Sequence, residues 1–295
     1  MKPPYSELLD AQMRAFVSET EACYPPDTAT QAIAEQRKIY NAMARTFRSQ
    51  RPDGLLVEDA RIGSVNVRHY GEPVRGQVLF AHGGGFLVGD LESHDDLCAD
   101  IAIRTGARVT AIDYRLCPEH EHPAALEDCL TVIDRLSGPQ PVVLAGDSAG
   151  ACLMAAAGAT PGAAISGVVL IYPGLGGDHQ KGSYVTHAHA PMLTREEVLY
   201  YQNMRGADLD DATAFPLKGN DYSNLPPVSC FSADLDPLRD DSAEYVRRIN
   251  AAGGTARWIN GPGLVHGWLR ARHRSERAYA MFARICDEVQ NFAQP

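Results

Sequence analysis

An α/β fold with a mainly parallel central sheet flanked by helices is what this sequence predicts, on two observations. From residue 77 onward, short apolar runs alternate with longer helical segments, and most of those runs have no polar face. A strand that is apolar on both faces must be covered on both sides, as in a parallel sheet whose strands are joined by right-handed crossover helices. Length and composition agree: 295 residues, 45% hydrophobic and 22% charged, suffice for one sizeable core.

In chain order, residues 6–47 read as two helices separated by Pro25 and Pro26. The second, "TATQAIAEQRKIYNAMARTF", spaces Ile33, Ile39, Met43 and Phe47 to share a face. A hairpin follows in "LLVEDARIGSVNVRHYG", where Val65, Val67 and His69 alternate with polar neighbours. Then come the strand "QVLFAH", a helix near 92–104, the strand "ARVTAID", a helix near 123–136, the strand "PVVLAG" at 141–146 and a helix from 149. The series resumes with "GVVLIYP", "VSCFSA", a helix near 240–252, "TARWIN" and a last helix near 276–292. Between Tyr172 and Pro227 the alternation stops; "TREEVLYYQNM" supplies a short helix there, with Thr194 and Glu197 spaced as a capping box. The expected organisation is a core of residues 51–173 and 216–295, with a helical cap built from residues 1–50 and an inserted segment, 174–215.

The net charge of −10 repels phosphate backbones and anionic lipids, which argues against nucleic-acid and membrane partners. The start, "MKPPYSELLDAQMRAF", lacks the apolar stretch of an export signal, and no run of 18 apolar residues occurs, so a cytoplasmic location is expected. Seven scattered cysteines, with no C-x-x-C pair, read as reduced and mostly buried. Ten histidines invite a metal, but H-E-x-x-H is absent and "HEH" at 120–122 has no second ligand group at a recognised spacing, so neither metal nor cofactor is expected. An exposed edge strand or the last helix would suit a homo-oligomer, although nothing in the sequence selects one.

The chemistry gathers around "LAGDSAGACL". Ser148 follows an apolar strand and opens a helix of small residues, the context of a nucleophile elbow. A serine hydroxyl needs a base within hydrogen-bond reach, a group to orient that base, and donors for the developing oxyanion. "FAHGGGFLVGD" offers the donors: Gly83 and Gly84 can present backbone N–H groups, with the N–H of Ala149 as the third. Downstream, "DLDPLRDD" offers four acids; Asp236, ahead of Pro237, is preferred, Asp234 is the alternative, and Asp240 and Asp241 are expected to cap the next helix. "GPGLVHGWLR" places His266 in a loop before the last helix, while His273 reads as solvated surface. Phe86, Tyr184, Tyr200, Tyr201 and Trp268 are candidate aromatic linings of a substrate pocket.

Taken in order, "HGGGF", "DYRLCPEHEHPAALEDC", "GDSAG", "DPLRDD" and "HGW" resemble the hormone-sensitive-lipase-like esterases of the α/β-hydrolase superfamily, over residues 76–292. The resemblance implies the α/β-hydrolase fold, a Ser148–His266–Asp236 triad, and an oxyanion hole at Gly83, Gly84 and Ala149. It further implies a cofactor-free carboxylesterase acting on small to medium acyl esters, acetyl esters among them. Cys117, Glu121, His122, Ala151 and Cys152 depart from the family pattern, and Arg115 with Glu119 reads as a structural ion pair. An amidase or aryl formamidase using the same triad is the alternative activity. A non-catalytic receptor on this fold would be expected to have lost a triad member.

Overall fold

The computed structural model describes residues 3–137, 142–162 and 164–294; Met1, Lys2, Pro295 and Pro141, the first residue of the strand expected at 141–146, lie outside these. Helices α1 (Tyr5–Leu8), α2 (Ala11–Glu21) and α3 (Ile33–Phe47) precede the hairpin of β1 (Val57–Ile62) and β2 (Val65–Tyr70). There follow β3 (Gln77–Ala81), α4 (Asp95–Thr105), β4 (Arg108–Asp113), α5 (Ala124–Leu136), β5 (Val142–Asp147), α6 (Ala149–Gly158) and β6 (Ile165–Ile171). After α7 (Gly182–Thr186) and α8 (Arg195–Arg205), the chain returns with β7 (Val228–Leu235), α9 (Arg239–Ala251), β8 (Ala256–Val265) and α10 (Glu276–Ala293).

The eight strands form one sheet in the order β1-β2-β4-β3-β5-β6-β7-β8. The hairpin adds antiparallel at one edge, and the six strands from β3 to β8 run parallel. Strand periodicity sorts the apolar residues to two sides. Val78 and Phe80 join the core under α4 and α10, with Leu97, Ile101, Phe282 and Ile285. Leu79 and Ala81 join the opposite core under α5, α6 and α9, with Leu126, Val132, Leu153 and Ile249. The N-terminal helices pack on the first side, where the Phe16 and Phe47 rings meet edge-on at 5.1 Å.

Four expectations need correction. The helix expected from Thr28 starts at Ile33, because the Thr28 and Thr30 hydroxyls bond back to Pro25 and Asp27 carbonyls and hold a separate 3-10 turn. Its buried side is Gln36, Met43, Ala44 and Phe47, with Ile33 and Ile39 only half-buried. The strand begun by "TARWIN" continues to Val265, so His266 leaves directly from a strand end. Arg115 does not pair with Glu119: it grips Asp128 at 2.9 Å and Glu127 at 3.0 Å, both on the nearby α5, while Glu119 is taken by Arg37 of α3 at 2.7 Å.

Candidate active site

Ser148 sits between β5 and α6 with φ 52° and ψ −115°, a conformation that β-carbon sterics make costly and that the surrounding sheet must hold. Two contacts fix it. The Ser148 N–H donates to the Ile171 carbonyl at 2.8 Å, and α6 approaches β3 so closely that a β-carbon on Gly150 would lie 2.0 Å from the Ala81 carbonyl oxygen. Only glycine permits that approach.

Three strand ends bring the expected residues together. His266 Nε2 stands 2.9 Å from Ser148 Oγ, and His266 Nδ1 stands 2.8 Å from Asp236 Oδ2. Asp236 is fully buried, and its other oxygen accepts the Leu238 N–H at 2.8 Å. Asp234 turns elsewhere, accepting from Asn260 Nδ2 at 2.9 Å and the Gly263 N–H at 3.3 Å, so it braces β7 against β8. Asp240 and Asp241 do not cap α9, whose N-terminus has no side-chain cap. They are drawn instead to N–H groups of the inserted segment: Asp240 accepts from Ser183, and Asp241 from Leu175 and Gly177 as well as the Tyr184 hydroxyl. His273 is partly exposed as expected, though held to Asp100 at 2.7 Å.

The glycine loop also departs from expectation. The Gly83 N–H is already donated to Asp147 Oδ1 at 2.7 Å inside the protein, so it is unavailable to an oxyanion. Gly84 and Gly85 instead line the cavity beside Ser148 and Ala149, and among the described residues their N–H groups have no acceptor. Asp147 anchors this arrangement, with His94 Nε2 at 3.3 Å and the Tyr172 hydroxyl donating to its Oδ2 at 3.2 Å. Burial pushes its carboxyl up, but the His94 and Arg270 charges and the Gly83 N–H outweigh that and hold it at about 2.

A cavity of about 540 Å³ opens over Ser148 and His266. Its walls come from the sheet loops, from Thr20–Met43 at the N-terminus, and from Ala190–Arg205 of the inserted segment. Of the candidate aromatics, Phe86 and Tyr201 line it. Tyr200 packs against the core on the α6 side, Tyr184 is held to Asp241 outside the cavity, and Trp268 is wholly buried behind Tyr172, ring centroids 6.0 Å apart. A side chain's residue type gives its affinity for apolar surroundings but not which way its helix or turn faces, which is why these three were misplaced. Sequence reasoning missed Tyr24, Tyr40, Tyr172, Phe215 and Arg270, all cavity residues. Tyr172 had a signal, since it ends an apolar strand one position beyond β6, and its ring lies 4.7 Å from that of His266.

Residues 78–270 match the family described as alpha/beta hydrolase fold. Carboxylesterase NlhH of Mycobacterium tuberculosis is 33% identical over 259 residues, covering 77% of this chain and 81% of that protein. An acetyl esterase of Salmonella paratyphi B is 30% identical over 297 residues, 91% of each. Among solved structures, an esterase of Pyrobaculum calidifontis superposes with a TM-score of 0.87 at 26% identity, covering 97% of this chain and 100% of that one.

Proposed function

Because the chain belongs to the alpha/beta-hydrolase fold family and is a carboxylic ester hydrolase, we propose that Ser148, His266 and Asp236 are its triad and that small to medium acyl esters, acetyl esters among them, are its substrates. The observation that carries this reading is His266, held between Ser148 Oγ and Asp236 Oδ2 at 2.9 and 2.8 Å. Ser148 Oγ attacks the acyl carbonyl while its proton passes to His266 Nε2. The buried Asp236 carboxylate accepts the Nδ1–H and stabilises the imidazolium so formed. The N–H groups of Gly84, Gly85 and Ala149 receive the negative oxygen, Gly85 replacing Gly83 for the reason given above. His266 then returns the proton to the leaving alcohol, and the acyl-enzyme is hydrolysed by a water that His266 activates.

In the same reading, residues 1–50 and 174–215 act as a cap that sets the depth of the acyl pocket, supported by the cavity residues both supply. The seven cysteines, all unbridged, fit a reducing cytoplasmic compartment. The test is hydrolysis of p-nitrophenyl acetate, butyrate and decanoate, with Ser148→Ala alongside. Turnover should favour the shorter esters and collapse in the variant to at most about 10³- to 10⁴-fold over water. Full activity in Ser148→Ala would rule out the triad.

A further inference from the structure

Most charged groups of the cavity have partners. Arg272 is paired with Asp96 and Asp100 at 2.5 and 2.7 Å, and Asp147 is engaged by His94, the Gly83 N–H and Tyr172. Arg270 differs. It lies four residues beyond His266, on the short 3-10 turn Trp268–Ala271, and lines the same cavity as Ser148. Its guanidinium donates to the Ser93 carbonyl at 2.8 Å and to the Tyr40 hydroxyl at 3.1 Å, and lies over the Tyr40 ring at 5.2 Å. All of these are neutral groups, and among the described residues Arg270 forms no ion pair with an Asp or Glu.

A guanidinium has five N–H donors in a planar fork. Two of those on Arg270 are used, one on each terminal nitrogen, which leaves three; Nε, without a partner among the described residues, is not a buried atom, and the side chain lines the cavity. Tyr24, also a cavity residue, has a hydroxyl that meets no partner among the described residues. A half-buried cation on a cavity wall, hydrogen-bonded to neutral groups and with donors to spare, suits a planar anion that arrives with the ligand. Nearby Asp147 keeps the site from being strongly cationic when empty, yet both its oxygens are already occupied.

Resting on the esterase reading above, we propose that Arg270 selects esters that carry a carboxylate on the acyl or the alcohol side, binding that carboxylate while Ser148 attacks the ester carbonyl. Two matched pairs test it, each replacing a carboxylate by an isopropyl group of similar shape: monoethyl succinate against ethyl 4-methylpentanoate, and 3-acetoxypropionate against 3-methylbutyl acetate. In the wild type, kcat/KM should favour the anionic member of at least one pair. Arg270→Gln should lower that ratio by about 10- to 100-fold, the range of hydrogen bonds to a charged group, and Arg270→Lys should recover part of it. Because the readout is a ratio, general damage to the fold cancels, and the wild-type preference stands without any variant. Neutral esters preferred in both pairs, or a ratio unchanged in Arg270→Gln, would overturn the proposal while leaving an esterase. No turnover of any of the four would overturn both readings together.

Discussion

The guanidinium carbon of Arg205 lies 4.0 Å from the centroid of the Phe86 ring. Arg205 ends α8 of the inserted segment, and Phe86 follows the glycine loop with φ 63°, so this contact ties the segment over the cavity to the loop beside the nucleophile. Four of the five residues that the resemblance marks as departures, all but Ala151, collect here. Arg205 donates toward Cys152 Sγ at 3.5 Å and lies 3.5 Å from His122 Nδ1, while its carbonyl accepts from the His122 N–H at 3.0 Å and faces Cys117 Sγ at 3.9 Å. Glu121 packs against the next residue, Gly206. Cys117, Glu121, His122 and Cys152 thus all meet the C-terminal end of α8.

Arg205→Lys follows as the first prediction. An ammonium keeps the charge but loses the planar stacking on Phe86 and the fork whose Nη1 reaches the Ala214 carbonyl while Nη2 faces His122. Urea unfolding should show a loss of about 1–2 kcal/mol, the scale of a desolvated cation–π contact. A lysine variant as stable as the wild type would mean that planar stacking and the second donor arm add nothing beyond the charge.

The two candidate acids make opposite predictions. Asp236→Asn places an amide where His266 Nδ1–H needs an acceptor, favouring the wrong imidazole tautomer, and kcat should fall by about 10⁴. Asp234→Asn touches the contacts to Asn260 and Gly263 and a 3.9 Å ion pair with Arg239, none of which reaches His266, so kcat should stay near wild type. Steady-state kinetics of both variants decide the assignment, and a reversal of the two effects would make Asp234 the acid.

The contrast between these aspartates also marks how far sequence reaches. Strand, helix and hairpin order was readable because the periodicity of apolar residues is local; Ser148 was marked as a candidate by the apolar strand before it and the glycines on either side, and His266 by the glycine after it, although the strand end that carries His266 to its place reads as a loop in the sequence. The unreadable part is contact between distant segments. Arg37 taking Glu119, Asp241 gathering the N–H groups of Leu175 and Gly177, and Asp147 holding Gly83 each join residues more than 60 positions apart. No local propensity encodes those pairings, and the last of them decides which glycines face the cavity.

Tyr201 should limit acyl length. A β-carbon on Gly85 would lie 2.4 Å from Tyr201 Cδ1, so the ring rests flat on the glycine loop and occupies space beside the nucleophile. Tyr201→Ala should raise the decanoate-to-butyrate ratio of kcat/KM on p-nitrophenyl esters. An unchanged ratio would locate the limit elsewhere on the cavity wall.

The last prediction concerns His82, which precedes the glycines and is almost wholly buried. Its ring stacks on Tyr114 at 4.3 Å, Nδ1 lies 2.9 Å from the Gly83 carbonyl and donates to it, and Nε2 has no partner among the described residues. A second proton would therefore go onto a nitrogen with nothing to receive it. Burial, reinforced by His94, lowers the His82 pKa to about 4, against about 6.5 in an unfolded chain. Between those values the unfolded state binds a proton that the folded state refuses. The stabilisation is complete above about pH 6.5 and is lost as pH falls toward 4. Through this residue the protein should lose about 2 kcal/mol of unfolding free energy between pH 7 and pH 5. His82→Asn keeps an N–H for the Gly83 carbonyl and cannot titrate, so its pH 7 to pH 5 difference in urea unfolding should shrink by that amount. A variant with the same pH dependence as the wild type would show that His82 is not the group that refuses the proton.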